Sequence, residues 1–201
     1  MTSNTNRWAL ASSNPKKLEE INALTSKLPI KIISQSELGI ESPAEIGQTF
    51  CENALIKARH TAKLAGLPTI ADDSGLTVDA LGGKPGVHSA RYAGPIVNDK
   101  RNVEKLLMAL NGIPQSQRNA QFRCVIVALR HQHDPTPLIC HGEWAGRIAD
   151  RPSGDGGFGY DPVFFDPRLC ATAAEIPLDT KNQVSHRALA LAKLLQKLEI
   201  R

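Results

Sequence analysis

Residues 7–34, RWALASSNPKKLEEINALTSKLPIKIIS, decide the fold class. Arg7–Ala11 reads as a short strand, Ser12–Asn14 as a turn and Pro15–Lys27 as a helix. Asn14 is a good N-cap, and Pro15 suits the first helical position, where its missing N–H would have no intrahelical partner. Leu18, Ile21, Leu24 and Leu28 recur at helical spacing on one face. Ile30–Ser34 then supplies a second strand, so the chain opens as strand, helix, strand.

Downstream, Ser42–Gln48 is a loop and Thr49–Gly66 a helix, opened by a Thr49/Glu52 capping box and closed by Gly66 and Pro68. Phe50, Ala54, Ala58, Ala62 and Ala65 give this helix a face of mostly small residues for close packing, with Lys57, Arg59, His60 and Lys63 pointing elsewhere. A buried strand, Pro68–Ala71, ends at Asp72 and Asp73. Leu81–Gly94 is Gly-rich and irregular, and Asp99–Leu110 is helical. Ala120–His131 and Thr136–Ile148 form an antiparallel hairpin around Asp134-Pro135. A Gly-rich loop, Ser153–Tyr160, precedes the apolar run Pro162–Phe165. The last helix, His186–Leu198, carries Leu191, Leu194, Leu195 and Leu198 on one stripe. The expectation is an α/β fold with a mixed sheet.

A chain of 201 residues fits one compact domain with room for a sizeable core. No apolar run approaches the roughly 20 residues of a membrane span. The polar Met1–Arg7 and the short apolar Trp8–Ala11 do not make a signal peptide, so a cytoplasmic location is expected. A net charge of +4 permits an anionic partner, but aromatics are only 4% and the basic residues are scattered. That balance suits a small anionic substrate better than a nucleic acid. Cys51, Cys124, Cys140 and Cys170 show no paired spacing and read as reduced thiols. Cys124, His131, His133, Cys140 and His141 match no common zinc pattern.

Four segments carry chemistry-bearing residues. Ser12-Ser13-Asn14-Pro15-Lys16-Lys17 lies at a strand-to-helix turn, where free N–H groups and the positive helix end suit phosphate; it also reads as an ordinary capped helix with solvated lysines. Asp72 and Asp73, at the end of a strand, lie where open α/β sheets bind ligands, or they cap a turn. Neighbouring side chains on a strand face opposite ways, so only one carboxylate faces a given site and the other serves local backbone donors. Hard oxygens beside phosphate imply Mg²⁺, with Glu45 as the second acidic partner. In Ser153–Pro162, glycines allow close backbone approach, Phe158 and Tyr160 offer rings for stacking on a base, and Asp161 offers an acceptor for ring N–H groups; turn chemistry accounts for the same residues. Lys181 and Ser185-His186-Arg187 bring donors to the start of the last helix, or they form a charged surface.

Taken in order, Ser12–Lys17, Glu52–Ala58, Ala71–Leu76, Leu81–Gly94, Gly157–Pro162 and Ser185–Arg187 resemble the RdgB/ITPase family of purine nucleoside triphosphate pyrophosphatases, over essentially the whole chain. The resemblance implies an elongated two-lobed mixed-sheet fold with a central nucleotide-binding cleft, a single domain over residues 1–201, and a homodimer. It also implies hydrolysis of ITP, dITP and XTP to the monophosphate and pyrophosphate, which cleanses the nucleotide pool. Asp73 is then the general base and shares Mg²⁺ with Glu45. Ser12, Ser13, Asn14, Pro15, Lys16, Lys17 and Ser74 hold the triphosphate and sugar, with Lys57 as a further phosphate contact. Phe158, Gly159, Tyr160, Asp161, Lys181, His186 and Arg187 line the nucleotide and base pocket, with Arg187 helping to read the 6-keto group. No nucleic acid or membrane partner is implied. A Maf-like pyrophosphatase of other base specificity and a non-catalytic nucleotide-binding module are the rival readings.

Overall fold

The computed structural model describes residues 6–25 and 30–199, the side chains of Asn6, Lys16, Ala23, Leu24 and Glu199 excepted. The opening unit is as expected: β1 (Asn6–Leu10), α1 (Pro15–Thr25) and β2 (Ile30–Ser34). The predicted last residues of α1, the Leu24 side chain and Leu28 lie outside the described residues. β1 pairs in parallel with β2, placing Trp8 opposite Ile32. After α2 (Phe50–Ala65), β3 (Thr69–Val78) lies on the other side of β1, again parallel. Two 3-10 turns, Asp79–Leu81 and Gly86–Arg91, break up the Gly-rich stretch before α3 (Asp99–Ala109). β4 (Asn119–Leu129), β5 (Leu138–Ile148), β6 (Phe164–Asp166) and β7 (Ala171–Thr172) come next, then α4 (Leu178–Val184) and α5 (His186–Glu199). One sheet runs β2-β1-β3-β4-β5-β6-β7, mixed because β5, β6 and β7 pair antiparallel.

The chain divides into two compact units. The first is Met1–Asp73, Cys124–Gly142 and Arg187–Arg201; the second is Ser74–Arg123 and Glu143–His186. In the first, the period-two alternation of strand side chains sorts the core into two faces. Trp8, Leu10, Ile70, Cys124 and Ile126 pack with Ile21 of α1 and with Ala190, Leu191 and Leu194 of α5. Their neighbours Ala11, Ala71, Val125, Val127 and Leu129 pack with Ala54, Ala58 and Ala62 of α2. The small residues on the helix face let α2 lie close to the strands. In the second unit Leu76, Val78, Phe122, Trp144, Tyr160 and Phe164 form one core with Val103 and Leu106 of α3.

One expectation needs correction, and one element is new. β3 does not stop at the acidic pair: it continues through Asp72 and Asp73 to Val78, so the carboxylates sit in mid-strand. The extension holds because Leu76 and Val78 are buried in the second core, and Leu76 N–H donates to Ser89 Oγ at 2.9 Å. α4 is not anticipated from the sequence. Its seven residues, LDTKNQV, place Lys181 in a short helix, and Ser185 closes it with its N–H on the Lys181 carbonyl at 2.9 Å.

Candidate active site

The turn between β1 and α1 is organised by its own side chains. Ser12 Oγ accepts from Asn14 N–H at 3.2 Å, and Asn14 Oδ1 accepts from Lys17 N–H at 3.4 Å, the N-cap geometry expected of Asn14. Ser12 and Asn14 are half-buried, while Ser13 and Pro15 are exposed. The Lys16 side chain lies outside the described residues.

The fate of Asp72 and Asp73 is set by strand alternation. Asp72 shares the face of Ile70, which looks towards α1 and α5, and Asp73 shares the face of Ala71, which looks towards α2. Asp72 is met by side-chain cations. Lys17 Nζ lies 2.9 Å from its Oδ2, and Arg187 Nε donates to the same oxygen at 3.3 Å. Arg187 also pairs with Glu20 of α1, a residue that the sequence does not single out although it stands one helical turn beyond Lys17. Burial alone would raise the Asp72 carboxyl, but the charges of Lys17, Arg187 and Lys57 hold it well below the usual carboxylate range. For Arg187, burial works against the charged form, and Asp72 and Glu20 more than restore it. Arg187 therefore meets two anionic partners within the chain.

Asp73 Oδ1 lies 2.7 Å from Lys57 Nζ, and Glu45 Oε1 lies 3.0 Å from the same nitrogen. Lys57 is buried in α2, not directed to solvent. Burial pushes the Asp73 carboxyl up from its ordinary value in spite of Lys57, which brings a general base closer to the pH at which it works. Burial opposes the charge on Lys57, but Asp73, Asp72 and Glu45 hold its pKa above the usual value. Glu45 is brought in by a pinned loop. Gly47 N–H donates to Asn53 Oδ1 at 2.8 Å, and Gln48 and Thr49 N–H donate to Glu52 Oε2 at 2.7 and 2.9 Å. A Cβ at Gly47 would come within 2.6 Å of Glu52 Cβ, so the loop can lie this close to α2 only with glycine there.

The residues present fit a divalent cation. Two hard carboxylate oxygens already converge on one cationic atom, and Mg²⁺ uses one or two carboxylates with water and phosphate completing its octahedron. Among the described residues no group of three or more His, Cys, Asp or Glu forms a closed metal cage.

In the second unit a different set gathers. Asp161 Oδ2 accepts from Phe158 N–H at 2.8 Å and pairs with Lys181 Nζ at 2.6 Å, and that ammonium lies 5.6 Å from the Phe158 ring centre. Gly157 has φ +73°, and a Cβ there would fall 2.0 Å from Asp161 Oδ2, so this turn requires glycine. Gly159 N–H donates to Asp99 Oδ2 at 2.8 Å. Tyr160 is buried with its hydroxyl on the Ser89 carbonyl at 2.8 Å, and burial pushes its phenol up. Of the two rings expected to stack on a base, Phe158 is the one left half-buried. His186 is buried, its ring stacked on Phe122 at 4.8 Å and 12°. Ser74 is half-buried. Asp99, Phe122 and Ser89 hold these residues in place although nothing local marks them out: Asp99 reads in sequence as a helix-starting acid, and Phe122 as one core residue among several.

The chain as a whole has relatives among known proteins. Residues 8–197 match the Ham1 family. The dITP/XTP pyrophosphatase of Pectobacterium atrosepticum is 53% identical over 189 residues, 94% of this chain and 96% of that protein. That of Yersinia pseudotuberculosis is 54% identical over the same shares. Among solved structures, a HAM1 protein from Coxiella burnetii superposes with a TM-score of 0.91 at 49% identity, over 97% of this chain and 99% of that one. The Ham1 protein of Staphylococcus aureus gives 0.86 at 39%, over 96% and 98%. Likeness of this extent, over nearly the whole chain, establishes that the chain belongs to the Ham1 family.

Proposed function

We propose that this protein is a Mg²⁺-dependent hydrolase that splits dITP, XTP and ITP into the monophosphate and pyrophosphate. The observation that carries this reading is the Glu45–Lys57–Asp73 cluster, with Lys57 and Asp73 buried and Glu45 half-buried, in a chain 53–54% identical to proteins named dITP/XTP pyrophosphatases. Bound Mg²⁺ supplies neutralisation of phosphate charge. Asp73, its carboxyl raised by burial, accepts the proton of the attacking water. The Ser12–Lys17 turn and Ser74 bind triphosphate and sugar, and Lys57 adds a cation for the departing pyrophosphate. Phe158, Gly159, Tyr160, Asp161, Lys181, His186 and Arg187 recognise the base. A 6-keto acceptor satisfies donors that the 6-amino group of adenine would leave unpaired, a mismatch worth up to about 10⁴-fold in discrimination. The whole chain acts as one domain, as a cytoplasmic homodimer.

The test is pyrophosphate release from ITP, dITP, XTP, GTP, ATP and a pyrimidine triphosphate, with Mg²⁺ and with EDTA. Metal-dependent release from the first three, with ATP nearly inert, is the expected result. Asp73→Asn should fold and lose at least about 10²-fold in rate. Preference for another base, or near-normal turnover in Asp73→Asn, would contradict the reading.

A further inference from the structure

The two carboxylates proposed above as metal ligands are not bare. They are bridged by an ammonium, with Lys57 Nζ 3.0 Å from Glu45 Oε1 and 2.7 Å from Asp73 Oδ1. The side chains of Lys57 and Asp73 are 9% and 10% exposed, that of Glu45 29%. Water screens such a cluster poorly, so a lysine and a divalent cation cannot both sit on these oxygens without strong repulsion. Lys57 is also well placed to stay near the site after leaving them. It projects from the middle of α2, whose backbone is fixed, and is buried there, so only the head of a flexible side chain has to move.

We propose that Lys57 is a resident counter-cation that exchanges with the metal. Its ammonium offsets one of the two negative charges of the Glu45–Asp73 pair before the metal binds, and it leaves those oxygens for phosphate oxygens when the divalent cation enters. The inference rests on the reading that Glu45 and Asp73 are the metal ligands. Its first consequence is that the nucleotide-free protein binds metal weakly, because Lys57 competes for the same carboxylates. Its second is that nucleotide strengthens metal binding by giving the displaced ammonium a new anionic partner, a coupling that must be reciprocal. Lys57 thus has a role in the order of assembly as well as in charge stabilisation.

The experiment is Mn²⁺ binding to nucleotide-free protein, monitored by electron paramagnetic resonance. Lys57→Met, similar in length but uncharged, should bind Mn²⁺ about tenfold or more tighter than wild type even though it turns over poorly. Lys57→Arg, which keeps the charge, should show no such gain. In wild-type protein, the Lys57 side-chain ¹⁵N signal should shift on titration with Mg²⁺. Unchanged or weaker Mn²⁺ binding in Lys57→Met overturns the exchange, as does a Lys57 signal that stays fixed while metal binds. The latter measurement decides the matter even if Lys57→Met folds poorly. Adding Asp73→Asn to Lys57→Met separates the two readings: the gain should vanish, and a gain that survives places the metal elsewhere and overturns the ligand assignment itself.

Discussion

Single charges in this protein are held by specific opposing charges, and among the described basic side chains Arg187 is the most deeply enclosed. Its guanidinium is 3% exposed and answers both Asp72 and Glu20. A buried ion pair adds little net stability over an apolar equivalent, yet removing one partner strands the other charge in a poorly solvated place. Arg187→Ala should therefore lower unfolding stability by about 3–5 kcal/mol, measured by denaturant titration. Lys17 remains beside Asp72 in that variant and moderates the loss, which favours the lower end of the range. Little or no loss would mean that Arg187 is free to serve a ligand and that its contacts to Asp72 and Glu20 are incidental. If enough folded variant is recovered, its ITP/ATP preference tests the base-reading role separately: an intact preference would remove Arg187 from that role.

Elements are legible in the sequence where their signals are local. α2 starts at Phe50 behind the Thr49/Glu52 capping box and ends at Gly66, at φ +63°, as the motif predicts. β3 runs longer than its sequence suggests because what sustains it is not local. Asp72 and Asp73 look like strand-ending residues until Lys17, Arg187 and Lys57 arrive from three helices to meet them. α4 escapes sequence reading because LDTKNQV has no apolar stripe and its N-cap, Pro177, makes no side-chain cap hydrogen bond. The same division runs through the candidate site. Glu45 and Asp73 are readable as acids near phosphate, but the bridging position of Lys57 depends on how α2 packs against β3, and periodicity gives only the packed face. The cap itself can be tested. Thr49→Ala removes the hydroxyl that accepts from Glu52 N–H and should cost about 1 kcal/mol, or roughly 2–4 °C in Tm. An unchanged Tm would show that Asn53 and Glu52 hold the Gly47–Thr49 loop without help from the cap.

For the molecule as a whole, the same arrangement makes stability depend on acid. Asp166 in the second unit is fully buried and accepts from Trp144 Nε1 at 2.7 Å, from Arg168 N–H at 2.8 Å and from the Arg168 guanidinium at 2.8 Å. Burial alone would raise its carboxyl, but the Arg168 and Trp144 hydrogen bonds outweigh that and hold it at about 2. A carboxyl whose pKa is depressed on folding contributes stability above its unfolded value, near 4, and loses that contribution as the pH falls through its folded value. The contribution at neutral pH is about 2 kcal/mol. Asp166→Asn keeps the shape of the group but replaces one acceptor oxygen with a donor and removes the charge. It should be less stable than wild type by about that amount at pH 7, and the gap should narrow below pH 4 and nearly close by pH 2. Denaturant titrations of both proteins across that range would show it. A gap that stayed constant from pH 7 to pH 2 would mean that the buried charge contributes nothing and that Asp166 acts only through its shape and neutral hydrogen bonds.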